Sequence, residues 1–550
     1  MSAGARNLAH ADAFVAGLAA AGLRHAVIAP GARSAPLAAA LLRRPELCCE
    51  VFTDERVAGY FALGLAKVTG QPAAVLTTSG TAAANLLPAA MEANLGAVPL
   101  LILTADRPAE AHGWGANQTA EQTRLYGDHV RAYHALPTPD GGVDSAYLRA
   151  LAARLLEECV TPLPGPVHAN LPLREPLLPD ALAAPPPLPA AIRIEPAATG
   201  FTEAAALARR LSGRCGAIVC GEQPAAPGFA RAIAALAAGL GVPVLAEPLA
   251  NLRCGPHDRS HFLVRQARFL RGADFPADRP PAWVLRFGRF PVSRTLERWL
   301  AGLTDSEHIL VAPPTRWPDP LWRNGTLVRA APLAVVEALL AEPLASAPAA
   351  WLAHWRRAEA EARPPAAFFE GTVARLLMEN LPEGSHCFVG NSLAIRAMDA
   401  FGGTSDKAIT LHGNRGVSGI DGNLATAGGI AAASGKPTAV LIGDQAALHD
   451  CGGLRALTGR PVVAVVMDNG GGGIFEHLPL ARALPEDLLA RGWRAPPGVD
   501  FRALAAAFGL SYAEAADAGQ LSAALARALA AGGPHLLRVA IDRAASRRCW

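Results

Sequence analysis

The sequence predicts an α/β chain built from three doubly wound parallel-sheet domains, on three observations. Short runs rich in Val, Ile and Leu alternate with Ala-rich helical stretches along all 550 residues, the pattern of βα units laid side by side in parallel sheets. Hydrophobic residues make up 51% of the chain and charged ones 18%, which suits large buried cores and leaves little room for extensive disorder. A proline-dense stretch from Pro176 to Pro189, with Pro185, Pro186 and Pro187 at its centre, and an Ala- and Pro-rich one from Leu344 to Ala350 cut the alternation into three blocks.

The first block, 1–180, opens with a helix. Phe14 to Leu23 is apolar, but His10 and Asp12 precede it and a strand follows directly after Arg24, so it reads as an amphipathic helix and not as a secretory leader. Its strands are expected at 25–30, 73–78, 99–104 and 166–171, and a further strand-like stretch runs into Glu55, which opens a helix-like one. In the second block, 192–345, strands are expected at 215–220, 243–247, 283–287 and 308–312. The third block, 355–550, has strand runs at 386–389, 408–411 and 535–541, and two more that end at Gly443-Asp444 and at Asp468-Asn469.

Composition excludes several functions. A formal charge of +3, with arginines scattered along the chain, provides no field that would gather nucleic acid. The nine cysteines are odd in number and contain no C-x-x-C, and no paired His spacing accompanies them. That argues against a disulfide framework or a zinc site and for a reducing, cytoplasmic setting. No stretch reaches the roughly 18 apolar residues a membrane span requires.

Asp444 and Asn469 stand 25 positions apart, room for a strand, a crossover helix and a parallel strand, which places both on neighbouring loops at one sheet edge. Open α/β sheets bind ligands at that edge. A carboxylate, an amide oxygen and one backbone carbonyl, assigned to Gly471, form an oxygen set suited to a hard divalent cation bridging a diphosphate. Gly470 to Gly473 can take positive φ and let backbone approach phosphate or metal. Two plainer readings are a tight turn after a buried strand and a dinucleotide site, although no G-x-G-x-x-G followed by an acidic residue occurs at a strand end here.

These residues belong to an ordered set. It runs through Ile28-Ala-Pro-Gly-Ala-Arg-Ser34, Thr53-Asp-Glu-Arg56, Ala62-Leu-Gly-Leu-Ala-Lys67, Thr78-Ser-Gly-Thr81, Leu103-Thr-Ala-Asp-Arg-Pro108 and Gly115-Ala-Asn-Gln118. It continues through Val389-Gly-Asn-Ser-Leu393, Asn414-Arg-Gly-Val-Ser-Gly-Ile-Asp-Gly422 and Gly472-Gly-Ile-Phe475. The set resembles the thiamine diphosphate-dependent, pyruvate-decarboxylase-like enzymes and, among them, the MenD-type carboligases of menaquinone biosynthesis. The resemblance implies a pyrimidine-binding first domain, a central α/β domain and a diphosphate-binding last domain. It implies decarboxylation of 2-oxoglutarate and addition of the remaining succinic semialdehyde unit to isochorismate, with thiamine diphosphate and Mg or Mn as cofactors. It also implies a homodimer, paired in some members into a tetramer, with the cofactor at the subunit interface.

By the same resemblance Glu55 bonds the cofactor's aminopyrimidine ring nitrogen, a task that a water-excluded pocket would strengthen. Ile420 supports the bent cofactor, Ile474 and Phe475 adjoin it, and Asp444, Asn469 and Gly471 hold the metal. The substrates carry two carboxylates each, so Arg33, Arg107, Arg396 and Arg415 are expected to bind them in bidentate fashion. Ser34, Asn117, Gln118 and Ser392 complete the substrate set. The chain departs from the family pattern at Ala32 and Ala446, where serines are common, and at Gly470, where an asparagine is common. Arg294 matches only loosely a basic residue of the central domain. Two other readings stay open: another thiamine diphosphate enzyme, such as an acetohydroxyacid synthase with a flavin in its central domain, and a catalytically silent subunit of the same fold.

Overall fold

The computed structural model describes residues 1–550 except 193, 195–199, 224–225, 272–274 and 276–278. Three six-stranded sheets follow one another along the chain. The first contains β1 (His25–Ile28), β2 (Cys48–Val51), β3 (Ala73–Thr77), β4 (Leu100–Asp106), β5 (Ala132–Ala135) and β6 (Pro166–Pro172), in the order β2-β1-β3-β4-β6-β5. The second contains β7 (Gly216–Cys220), β8 (Val244–Ala246), β9 (Phe262–Leu263), β10 (Trp283–Phe287), β11 (Glu307–Val311) and β12 (Thr326–Val328), in the order β12-β11-β10-β7-β8-β9. The third contains β13 (His386–Val389), β14 (Thr410–His412), β15 (Thr438–Gly443), β16 (Val462–Asp468), β17 (Ser511–Ala515) and β18 (His535–Ala540), in the order β14-β13-β15-β16-β18-β17. The strands are parallel, as the alternation of strand and helix predicts.

Burial on both faces explains the near-continuous apolar strands. In the first sheet Ala26, Ile28, Ala74, Leu76, Leu101 and Leu103 pack with helices Ala3–Ala20 and Ser145–Val160. The alternate residues Val27, Val75, Leu100 and Ile102 pack on the opposite face with helices Glu55–Thr69 and Leu87–Gly96. Successive side chains point to opposite faces, so a strand covered on both sides has no solvent-facing position, and the polar Thr104, His168 and Asn170 within the sheet bond to one another. The first and third sheets share one strand order, whose direction reverses between β1 and β3 and between β13 and β15. Such switch points open a crevice at the C-terminal strand ends.

Strands β5, β9, β12 and β17 were not expected. Each lies at a sheet edge, and each is short or carries polar, half-buried residues, so no apolar run marks it. The proline-dense stretch carries neither helix nor strand. Asn7 Nδ2 donates to the Arg174 and Pro176 carbonyls at 2.7 and 3.2 Å, and Arg44 Nη1 donates to the Pro186 carbonyl at 2.7 Å, which straps the stretch along the first sheet's helices.

The chain divides into two compact units. One comprises Met1–Glu195, Asn414–Gly435 and His449–Val462; the other comprises Pro196–Gly413, Lys436–Leu448 and Val463–Trp550. No described helix is long and apolar enough to cross a membrane.

Candidate active site

Eight of the expected site residues lie in the first unit: Arg33, Ser34, Glu55, Arg107, Asn117, Gln118, Arg415 and Ile420. Glu55 is the first residue of the helix Glu55–Thr69, which Asp54 caps by accepting the Val57 N–H at 3.1 Å. The carboxylate of Glu55 is half-buried, and Asn85 Nδ2 donates to its Oε2 at 3.4 Å. At the β1 end, Arg33 is buried, donating through Nη1 to the Leu173 carbonyl at 2.8 Å and through Nη2 to Glu175 Oε1 at 2.6 Å. Arg107 follows β4 and donates to the Ser79 hydroxyl. Partial burial, and after it the Arg33 guanidinium, hold Arg107 below the ordinary arginine range. Ser34 is buried, with its hydroxyl donating to the Gly31 carbonyl at 3.0 Å. Asn117 and Gln118 are exposed; Gln118 takes φ +53° and donates through Nε2 to the Ser79 carbonyl at 2.9 Å.

The loop from Asn414 to Gly422 carries Arg415 and Ile420 and is tied down at several points. Buried Glu92 accepts the Gly416 and Val417 N–H groups at 2.7 and 2.8 Å. The Tyr60 hydroxyl donates to Asp421, and Asn423 Nδ2 donates to the Ile420 carbonyl at 2.7 Å. Ile420 remains 38% exposed on this fixed loop, an apolar side chain held where a ligand could rest on it.

The second unit holds Arg294, Ser392, Arg396, Asp444, Asn469, Gly471, Ile474 and Phe475. Asp444 follows β15 directly and opens the helix Asp444–His449, where a loop was expected, because the strand passes straight into a helical turn. It is buried, accepting the Gln445 N–H at 2.7 Å and the Gly471 N–H at 2.6 Å. Burial pushes its carboxyl up to about 6, and Asp468 at the end of β16 adds to the rise. Asp468 itself is held down, against its own burial, by Arg538 Nε at 2.7 Å and the Gly470 N–H at 3.1 Å. Asn469 donates through Nδ2 to Glu370 Oε1 at 3.1 Å. Gly470, Gly471 and Gly472 take φ of +75°, +83° and +57°, the left-handed backbone expected of a loop that wraps an anion or cation. Ile474 and Phe475 are half-buried in the 3₁₀ turn Gly473–His477. Ser392 caps the helix Leu393–Phe401 with φ +64°, and Arg396 one turn later donates to its carbonyl at 2.7 Å. Arg294 opens the helix Arg294–Gly302, 77% exposed and 3.6 Å from Glu297.

Comparison with known proteins gives this arrangement a family. Residues 9–130 match the thiamine pyrophosphate enzyme N-terminal TPP binding domain, and residues 403–539 match the C-terminal TPP binding domain. Over 541 residues the chain is 45% identical to the 2-succinyl-5-enolpyruvyl-6-hydroxy-3-cyclohexene-1-carboxylate synthase of Dechloromonas aromatica, covering 98% of this chain and 99% of that one. The chain belongs to this synthase family. The synthases of Halobacterium salinarum and Bacillus velezensis are 38% and 37% identical, covering 100% and 91% of the chain and 98% and 89% of their own lengths. The fold is also that of a benzoylformate decarboxylase from Polynucleobacter necessarius, with a TM-score of 0.75, 17% identity and coverage of 97% of this chain and 98% of that one.

Membership in the synthase family makes the chain a thiamine diphosphate enzyme. The synthase relatives run through the central sheet as well as the outer two, so the acetohydroxyacid synthase alternative is not favoured. Three residues that hold the synthase-family loops were not singled out in the sequence: Glu92, Glu370 and Arg543. Each acts on a loop far away in the chain, Glu92 on residues 324 and 325 positions later. No local motif signals such a partner. The only mark on Glu92 is a lone acid inside an otherwise apolar helix, Leu87–Gly96.

Proposed function

We propose that the chain decarboxylates 2-oxoglutarate and joins the remaining succinic semialdehyde unit to isochorismate, giving 2-succinyl-5-enolpyruvyl-6-hydroxy-3-cyclohexene-1-carboxylate and carbon dioxide. The observation that carries this reading is identity of 45% along essentially the whole length to a synthase named for that product, with Glu55, Asp444 and Asn469 all in place. Bound thiamine diphosphate supplies the thiazolium carbon and the electron sink that loss of carbon dioxide requires.

The residues then divide the work. Glu55 accepts a hydrogen bond from the pyrimidine ring nitrogen, and its half-buried place at a helix start strengthens that bond relative to open water. Asp444, Asn469 and the Gly471 carbonyl, which keeps one lone pair beyond its bond from Arg543, would hold magnesium or manganese, which would neutralise the diphosphate charge. The donor set fits such a cation. Every ligand atom is oxygen, Asp444 keeps lone pairs beyond its two N–H contacts, and its raised carboxyl marks a buried acid beside a second acid. Ile420, Ile474 and Phe475 would supply the apolar contacts on which the cofactor rests. Arg33 and Arg107, the second lowered by burial and then by the charge of the first, serve one dicarboxylate substrate, and Arg396 and Arg415 serve the second. Ser34, Asn117, Gln118, Ser392 and Arg294 complete the substrate contacts.

In this reading 1–180 is the pyrimidine-binding domain, 192–345 the central domain and 355–550 the diphosphate-binding domain. The working form is a homodimer, or a tetramer of two such dimers, with the cofactor at the subunit interface. Nine unpaired cysteines fit a reducing cytoplasm. The test follows isochorismate consumption spectrophotometrically with 2-oxoglutarate, thiamine diphosphate and magnesium present. Consumption that needs all of them supports the reading, whereas turnover of 2-oxoglutarate that ignores isochorismate refutes it.

A further inference from the structure

The last helix, Arg543–Cys549, reaches the loop after β16 by two separate routes. In the first, Arg543 lays its guanidinium across three consecutive carbonyls. Its Nη2 shares two N–H groups among the Asn469, Gly470 and Gly471 oxygens, each at 2.8 Å, and its Nε donates to the Asn469 oxygen at 3.2 Å. In the second, fully buried Glu370 accepts Asn469 Nδ2 on Oε1 at 3.1 Å, and on Oε2 it accepts the Ser546 hydroxyl at 2.6 Å and Trp550 Nε1 at 3.3 Å. Edge-on contacts of the Trp550 ring with Phe401 and Phe369, centroids 5.5 and 6.4 Å apart, anchor that end.

Both routes terminate on the groups assigned to the cation. Three carbonyls turned to one side by left-handed glycines repel one another unless positive charge sits among them, and Arg543 supplies it from the protein. Glu476, 3.5 Å from Arg543 and 2.7 Å from Arg494, is shared between the two and offsets only part of that charge. The Asn469 amide has one donor end and one acceptor end. An acceptor-only carboxylate on Nδ2 fixes which is which and leaves Oδ1 for a metal, the role that partners behind a ligand play in metal sites generally.

We propose that Arg543 and Glu370 are positioning residues of the cation loop, by which the last helix holds the loop's carbonyls and the Asn469 amide ready before magnesium and the diphosphate arrive. This rests on the reading of the loop as the magnesium site. Holding the loop in shape in advance spares binding the entropy of ordering it.

The test is calorimetric titration of the apoprotein with magnesium chloride at fixed thiamine diphosphate, for the wild type, Arg543→Ala, Arg543→Lys, Glu370→Gln and the milder Ser546→Ala. The magnesium Kd should rise about 10- to 100-fold in Arg543→Ala and Glu370→Gln, the range seen when such outer partners are lost. Arg543→Lys should recover part of the loss, because it restores charge without the fork. Saturating magnesium should restore most of the turnover in variants whose thermal midpoint without magnesium matches that of the wild type, a condition that sets general destabilisation aside. If Arg543→Ala fails to fold, Arg543→Lys and Ser546→Ala carry the same comparison. Folded variants that bind magnesium like the wild type overturn the positioning role. A wild type whose cofactor binding ignores magnesium overturns instead the assignment of the loop on which it rests.

Discussion

Asp444 and Glu55 are acids in contrasting surroundings. Asp444 is buried beside a second acid, where a cation would relieve the strain, while Glu55 sits half-buried at a helix start with one amide donor beside it. Glu55→Gln should abolish proton exchange at the thiazolium carbon of bound cofactor while leaving diphosphate affinity within a few-fold. Nuclear magnetic resonance of deuterium exchange reads the first and calorimetry the second. Asp444→Ala should weaken cofactor binding only through the metal, so the loss should shrink as magnesium is raised. A loss indifferent to magnesium would point to misfolding instead. Both residues could be read in the sequence because each ends a run whose character is local. Glu370 and Arg543 could not, since their partners lie 99 and 72 to 74 positions away.

Two elements of the first unit are set by close approach. Helices Glu55–Thr69 and Asn423–Ser434 cross at Gly64 and Gly429, where a Cβ on Gly64 would lie 2.1 Å from the Thr426 carbonyl oxygen and one on Gly429 2.1 Å from that of Phe61. Backbone cannot yield there as a flexible side chain would. Gly64→Val should therefore destabilise the fold by about 3 kcal/mol or more, read as a lower thermal midpoint or as insoluble protein. The Asn414–Gly422 loop depends on Glu92. Glu92→Ala leaves the Gly416 and Val417 N–H groups without their acceptor, at a cost of about 1–3 kcal/mol. Because Arg415 and Ile420 lie on that loop, Michaelis constants should rise by about an order of magnitude more than any fall in kcat would explain.

Across the whole molecule the buried acids set a pH dependence. Burial pushes Glu247 and Asp450 each up to about 7; Glu247 accepts the Glu222 N–H at 2.8 Å and Asp450 the Leu424 N–H at 2.7 Å. A carboxyl raised in the folded state holds its proton more tightly there than in the unfolded chain, so stability falls as pH rises through the folded value. Buried histidines act oppositely. His10 and His168, lowered by burial to about 4 and about 3, add stability as pH rises to the unfolded value near 6.5 and for about a unit beyond it. The carboxyl contribution is therefore isolated by substitution. Between about pH 6 and 8 the metal-free wild type should lose on the order of 1 kcal/mol relative to Asp450→Asn, read as a narrowing difference between their thermal midpoints. A difference that does not change with pH contradicts this.

The sequence by itself determined the class of fold, the interior strands and where Glu55, Asp444 and Asn469 stand relative to them, because apolar runs and the residues that flank them are properties of neighbours in the chain. The four edge strands β5, β9, β12 and β17 escaped it, since an edge strand is held by one neighbour and needs no apolar run of its own. Tertiary structure alone decided which distant acid or arginine holds each functional loop. Glu92, Glu370 and Arg543 are defined by hydrogen bonds that close only once chain segments separated by about seventy to three hundred residues have packed together, and no local pattern in the sequence encodes that packing.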